Sequence, residues 1–311
     1  MKRDGEHLAP CAAAIAHILE EHMKSSWRLL TTFALAAGLC ALCSSGARAQ
    51  SHSGTSSNTN PNSNPGGPGN SPSNPENLLE LVKPPVPGEE KAFKAFKSFQ
   101  AIPNSDAAKK IQSGESFIQK FPTSDYRSYV YGTLTINYFS TNQPDKAITA
   151  GEKSLELNPS DIYTMGVLSQ ALARLYNPSQ PDAARLDKAE QYGKKAVELA
   201  PTLKKPDTAS QEVFDANKGA ALAMAHSGLG LVAIRRGNAA AAIQELDLAT
   251  KLDNDRDPAN LYLLGFANEG AGHFTEAATA FHRCAAVGGN MQDTCKKAES
   301  EAQKHATVVV K

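Results

Sequence analysis

Histidine, cysteine and glutamate are the residue types through which this chain could bind a metal or catalyse a reaction. The histidines beyond residue 50 are His52, His226, His273, His282 and His305. None lies in a His-Glu-x-x-His motif or in a carboxylate-flanked pair at ligand spacing, so we expect neither a metal site nor a cofactor. The sequence also lacks a Gly-x-Ser-x-Gly motif, a Walker lysine and a Cys-His nucleophile pattern.

Two short motifs could suggest chemistry. Glu115-Ser116 resembles the start of the catalytic Glu-Ser motif of lytic transglycosylases, which also contain α-solenoids, but the lysozyme-like segment that should follow is missing. Gly228-Leu229-Gly230 lies within a helical pattern and is therefore not a phosphate-binding loop. We predict that the protein is not an enzyme, with a solenoid that cradles the substrate of a cell-wall-active enzyme as an alternative.

The charge balance argues against polyanionic partners. Lys and Arg total 32 and Asp and Glu total 32, so the net charge is zero. Because no excess of basic residues is available to neutralise phosphates, we expect neither nucleic acid nor an anionic membrane surface as the partner.

The N-terminal segment has the features of an export signal. Lys24 and Arg28 precede an apolar run over residues 29–43, and Ala47-Arg48-Ala49 follows as a small-x-small cleavage site. The run is shorter than the roughly 20 residues that span a bilayer. We therefore predict translation from Met23, cleavage after Ala49, no stable membrane insertion afterwards, and a periplasmic or secreted product.

Residues 50–87 form a predicted disordered linker rich in Ser, Asn, Pro and Gly. Residues 50–75 contain no charge, no aromatic and no branched aliphatic residue. Such a segment buries too little apolar surface to offset the entropy of ordering, so it acts as a flexible spacer.

Helical patterns repeat in the second half of the chain. Leu229-Gly230 precede a turn at Gly237, and Ala242 follows it. The same order recurs about thirty-five residues later with Leu264-Gly265 and Ala277. A fixed period of this length indicates stacked helix pairs.

This spacing resembles the tetratricopeptide (TPR) repeat. The resemblance implies an all-α fold: a right-handed TPR-type α-solenoid of about four to five helix pairs with a C-terminal capping helix. We assign residues 88–122 to a degenerate helix pair, 124–287 to the repeats, and 290–311 to the capping helix and tail. The phrase at residues 117–126 resembles the TPR-like assembly lipoprotein BamD, so an outer-membrane assembly or cell-wall accessory factor is a further alternative.

Two segments depart from the repeat. Residues 176–183 insert about eight residues where a tight turn is expected, which is typical of a surface loop. From Ser210 the helical pattern runs without a break into the repeat at His226, so we predict a first helix about twice the usual length.

In TPR proteins the first helix of each pair lines a concave surface that binds a peptide or protein. Carried onto this chain, the groove positions are Tyr129, Ile136, Phe139, Tyr163, Gln170, Arg174, Met224, Leu231, Arg235, Tyr262, Phe266 and Glu269. This set implies a peptide with hydrophobic anchors and an acidic group. The subgroup that clamps chaperone C-termini presents Lys and Asn where this chain has Gly132 and Ile136, so we do not expect that partner class.

Two cysteines, Cys284 and Cys295, remain after the predicted cleavage site. In an oxidising compartment such a pair predicts a disulfide, which would pin the closing helix onto the end of the solenoid. Two buried free thiols are the alternative, because cysteine also behaves as a small apolar residue.

Overall fold

The structure, a computed structural model, describes residues 86–207 and 209–309. The predicted signal peptide and nearly all of the linker lie outside these residues. The described part contains eleven α-helices and no β-strand. The helices are α1 Glu90–Gln100, α2 Ala107–Lys120, α3 Arg127–Ser140, α4 Pro144–Leu157, α5 Ile162–Arg174, α6 Ala183–Leu199, α7 Gln211–Arg235, α8 Ala239–Leu252, α9 Pro258–Gly270, α10 Phe274–Val287 and α11 Gln292–Val309.

Consecutive helices form pairs, from α1 with α2 to α9 with α10, and α11 follows the last pair. The predicted all-α solenoid fold is therefore confirmed. The Leu-Gly positions of the repeat are where the two helices of a pair approach most closely. A Cβ atom on Gly230 would lie 2.6 Å from Leu246 Cγ, and one on Gly265 would lie 2.5 Å from Phe281 Cε1. Only glycine allows these approaches without displacing the neighbouring side chain.

Local signals place the helix ends. Asp161 accepts hydrogen bonds from the backbone amides of Tyr163 and Thr164 and so caps α5. The turns between α7 and α8 and between α9 and α10 contain Gly237 and Gly272 at φ 72° and 76°, a region that disfavours other residues.

The first helix pair, predicted to be degenerate, has an aromatic core. Phe96 and Phe99 of α1 are fully buried. The Phe96 ring stacks on Tyr126 at a centroid distance of 5.0 Å, which joins α1 to the start of α3. Aromatic packing therefore holds the first pair against α3.

The helix that begins after Ser210 is α7, which contains 25 residues. Its second half packs closely beside α5. A Cβ atom on Gly166 of α5 would lie 2.8 Å from the Ala221 carbonyl oxygen, and one on Gly228 would lie 2.8 Å from the Gln170 amide nitrogen. Small residues therefore set the distance between these two helices.

The segment 290–311, assigned to a capping helix and tail, contains α11, which continues to Val309.

Candidate peptide-binding surface

The first helices of the pairs form one layer, which we call the first-helix layer (α1, α3, α5, α7 and α9). The hydroxyl of Thr164 on α5 would lie 3.2 Å from a Cβ atom on Gly132 of α3. Gln170 Nε2 on α5 donates a hydrogen bond to Ser227 Oγ on α7 at 2.9 Å. On α9, Leu263 packs against the cluster that contains Leu231. The layer is therefore continuous from α3 to α9.

The predicted groove residues are distributed along this layer. They are Tyr129, Ile136 and Phe139 on α3; Tyr163, Gln170 and Arg174 on α5; Met224, Leu231 and Arg235 on α7; and Tyr262, Phe266 and Glu269 on α9. All except Leu231 keep part of their surface exposed. Partial exposure is compatible with a contact surface, and the groove assignment stays a prediction.

Leu231 is a correction to that set. It is 2% exposed and packs with Leu172 and Leu186 in the core. The reason is the close approach of α5 and α7, which encloses this position between the two helices. A partner on the surface could not contact Leu231.

The aromatic end of the surface lies where α3 meets α5. Tyr129 packs on Phe96 at a centroid distance of 6.2 Å, and Tyr163 packs on the cluster around Ile162 and Met165. Burial raises the pKa of both tyrosines, and the nearby Asp161 carboxylate raises it further. Both phenols therefore stay neutral and can offer a ring and a hydroxyl to a partner.

Two arginines lie at the other end, in the last turns of α5 and α7. Burial lowers the pKa of the Arg174 guanidinium, and the negative charge of Asp257 partly opposes this effect. Burial also lowers the pKa of Arg235, whose guanidinium carbon lies 6.0 Å from the centre of the Tyr176 ring. Both groups remain charged at neutral pH because an arginine starts from a very high pKa.

Arg174 differs from several other arginines in its pairing. Within residues 86–207 and 209–309 it makes no hydrogen bond or ion pair. Arg185, Arg236 and Arg283 each bind a carboxylate: Asp182 at 3.4 Å, Glu190 at 2.6 Å and Asp255 at 3.0 Å. A partly desolvated cation without such a pair is a favourable position for an anionic group of a partner.

Sequence reasoning missed two contributors to this end of the surface, Tyr176 and Asp257. Tyr176 opens the inserted segment 176–183, and Asp257 is the N-cap of α9. The insertion was visible in the sequence, but only the tertiary structure shows that its first residue contacts Arg235.

Helix α9, the last helix of the first-helix layer, is partly covered by α11. The Tyr262 ring lies 5.4 Å from Phe281 and packs against the cluster that also contains Ala302 of α11. Burial raises the pKa of Glu269, Glu301 raises it further, and His305 opposes the shift. Like the groove residues on α5, Tyr262 and Glu269 are partly buried.

Glu115, the acidic residue of the Glu-Ser motif, faces a separate open cleft of about 760 Å³ between α2, α3 and α4. Its Oε1 accepts a hydrogen bond from the Tyr138 hydroxyl at 2.6 Å and lies 3.9 Å from Lys146 Nζ. The carboxylate thus has structural partners on both neighbouring helices.

Two properties of the described residues bear on other functions. Within residues 86–207 and 209–309, His, Cys, Asp and Glu residues form no group of three that could hold a metal ion. No helix in that part of the chain is both long and apolar enough to span a bilayer.

Comparisons with known proteins concern the fold. No protein-family model and no curated protein matches the chain. The chain is similar to TTC0263, a thermophilic TPR protein of Thermus thermophilus, with 17% identity over 70% of this chain and 99% of that chain at a TM-score of 0.47. It is also similar to yeast Tom70, with 16% identity over 74% of this chain and 45% of that chain at a TM-score of 0.44. The match thus spans less than half the length of the Tom70 chain.

Proposed function

We propose that this protein is a non-enzymatic scaffold that binds a segment of a protein partner on the exposed face of its first-helix layer. The observation that carries the proposal is Arg174. Burial lowers the pKa of Arg174, the nearby Asp257 carboxylate only partly opposes this, and no carboxylate of the described residues forms an ion pair with it. An acidic group on the partner would satisfy this arginine through charge-assisted hydrogen bonds.

Other side chains of the first-helix layer specify the rest of the partner segment. Tyr163 and Met224 offer apolar surface on α5 and α7, and Tyr176 lies beside Arg235. Interfaces use such aromatic and arginine side chains as anchors. The partner segment would therefore combine apolar side chains with an Asp, a Glu or a terminal carboxylate.

The proposed setting is the bacterial envelope after export. It rests on the signal-peptide pattern at residues 23–49. Sequencing the N-terminus of the exported protein tests it, and the expected first residue is Gln50. A product that retains residues 23–49 would instead indicate a membrane-tethered protein.

The binding proposal is tested with an array of peptides in which each acidic peptide has an amide-matched copy. The wild-type protein should prefer acidic peptides with apolar neighbours. Arg174→Gln should weaken their binding about 10- to 100-fold, the range expected when a hydrogen bond to a charged group is lost.

Arg236→Gln is the matched control, because it removes the same charge from a residue whose carboxylate partners, Asp187 and Glu190, lie on α6. It should leave peptide binding unchanged. If acidic and amide peptides bind equally well, or if Arg174→Gln binds as tightly as the wild type, the proposed surface is wrong.

A further inference from the structure

The last helix, α11, docks through small side chains. Among its residues up to Thr307, Cys295 and Ala302 are fully buried, and Ala298 is partly buried against the cluster that contains Ala302. Polar contacts with α10 include a hydrogen bond between His282 Nδ1 and Glu299 Oε1 at 3.0 Å and one from Gln292 Nε2 to the Ala285 carbonyl at 3.2 Å, and His305 stacks on Phe274 at 5.2 Å. Alanine side chains bury little apolar area, so each of them contributes little to the noncovalent docking of α11.

A pair of cysteines joins this helix to the solenoid. Cys284 on α10 and Cys295 on α11 are fully buried, and their Cα atoms are 5.8 Å apart. This separation falls within the range of about 4.4–6.8 Å that a disulfide requires. Gly288 and Gly289, at φ 81° and 76°, form the hinge between the two helices.

The position of α11 matters because it covers part of the first-helix layer. Ala302 of α11 packs in the cluster that Tyr262 contacts, and His305 and Glu301 of α11 lie close enough to Glu269 to influence its charge. Moving α11 away would expose Tyr262, Phe281 and the apolar side of α10.

We propose that Cys284 and Cys295 form a redox latch that holds α11 over the last part of the first-helix layer. Closing the latch transfers two electrons and two protons from the two thiols to a small-molecule disulfide, such as glutathione disulfide, which leaves as two thiols. A dithiol reverses the reaction after local opening of α11 at the glycine hinge.

The effect on α11 follows from loop closure. The two cysteines are separated by 11 residues in sequence, and closing a loop of this size lowers the population of the undocked state about a hundredfold. Reduction should restore that population without unfolding the preceding pairs, because α11 is the terminal element and contacts mainly α10.

Hydrogen exchange on the full chain tests the latch. After equilibration with glutathione disulfide, the backbone amides of α11 should exchange about a hundredfold more slowly than after treatment with dithiothreitol, and those of α5 and α7 should not change. Cys295→Ala removes the latch without altering α10. Its α11 amides should exchange fast under both conditions.

His282→Ala is the control, since it removes a polar contact of α11 but keeps both cysteines. Its exchange should still depend on the redox condition. Equal exchange of α11 in the oxidised and reduced wild type would overturn the latch. In protein that begins at Gln50, and so lacks Cys11, Cys40 and Cys43, two titratable thiols after equilibration with glutathione disulfide and denaturation would overturn it as well.

Only the consequence for binding rests on the proposed function. If the peptide surface extends to α9, reducing the disulfide should increase peptide affinity, and Tyr262→Ala should abolish that increase. The hydrogen-exchange test needs no peptide, so the two proposals can fail separately. If no peptide binds but the exchange rate of α11 still depends on the redox condition, the scaffold proposal is refuted and the latch is supported.

Discussion

The close contact between α5 and α7 gives the sharpest test of the structure. Replacing Gly228 by alanine would place a Cβ atom 2.8 Å from both the Gln170 amide nitrogen and the Ser169 carbonyl carbon. These are backbone atoms, so no rotamer change can relieve the clash and the two helices must separate. Overpacking of this kind costs about 1–3 kcal/mol.

The same substitution also has a stabilising component. Alanine is favoured over glycine inside a helix by about 0.8–1 kcal/mol. The two effects together should lower the free energy of unfolding by up to about 2 kcal/mol. Because the clash separates α5 from α7, the hydrogen bond from Gln170 to Ser227 should be lost as well.

Gly219, in the same helix, is the matched control. The nearest atom to a Cβ on Gly219 is the Leu252 carbonyl oxygen at 3.9 Å, an ordinary contact. Gly219→Ala should therefore raise the free energy of unfolding by about 0.4–1 kcal/mol.

Urea unfolding followed by far-UV circular dichroism measures both variants, with the slope compared to check that the transition is unchanged. The reasoning is refuted if Gly228→Ala is as stable as Gly219→Ala. Such a result would mean that α5 and α7 do not pack at the described distance.

Three further predictions concern stability. Lys110 is fully buried, and its Nζ donates hydrogen bonds to the carbonyls of Gln100 and Ile102. Lys110→Met should therefore lower the free energy of unfolding by about 1–3 kcal/mol. Lys109 is exposed, so Lys109→Met should leave that free energy nearly unchanged in the same urea titration. Phe96→Ala should lower the free energy of unfolding by about 3–5 kcal/mol and detach the first helix pair, which would make proteolysis within α1 and α2 faster. A proteolysis rate equal to that of the wild type would contradict the aromatic core. Burial raises the pKa of Glu269, so its contribution to stability is fully present below the pKa of the unfolded state and declines as the pH rises through the folded pKa. The free energy of unfolding of Glu269→Gln should therefore exceed that of the wild type by a margin that grows from about pH 4 towards neutrality. A margin that does not depend on pH would contradict the shift.

Much of the architecture could be predicted from local signals. The Leu-Gly positions, the turn glycines and the Asp161 cap act through nearby backbone and through the partner helix of the same pair. The uninterrupted pattern after Ser210 predicted the long helix α7, because nothing in that stretch stops a helix. The segment 88–122, assigned to a degenerate helix pair, contains α1 and α2.

The candidate surface was predicted less completely. A repeat position identifies which residues can face outward, but the distance between neighbouring first helices decides which of them do. Gly166 and Gly228 bring α5 and α7 so close that Leu231 becomes core, and this contact joins residues more than fifty positions apart. The environments of Arg174 and Arg235 depend on Asp257 and Tyr176, which come from other segments.

The sequence alone thus determined the helix pairs and their order, because helix formation and pairing depend on spacing within about thirty-five residues. Only the tertiary structure decided which side chains remain on the surface, that Arg174 is desolvated near Asp257, and how Cys284 meets Cys295 under α11. Burial and desolvation arise from contacts between separate pairs, and no local pattern encodes those distances.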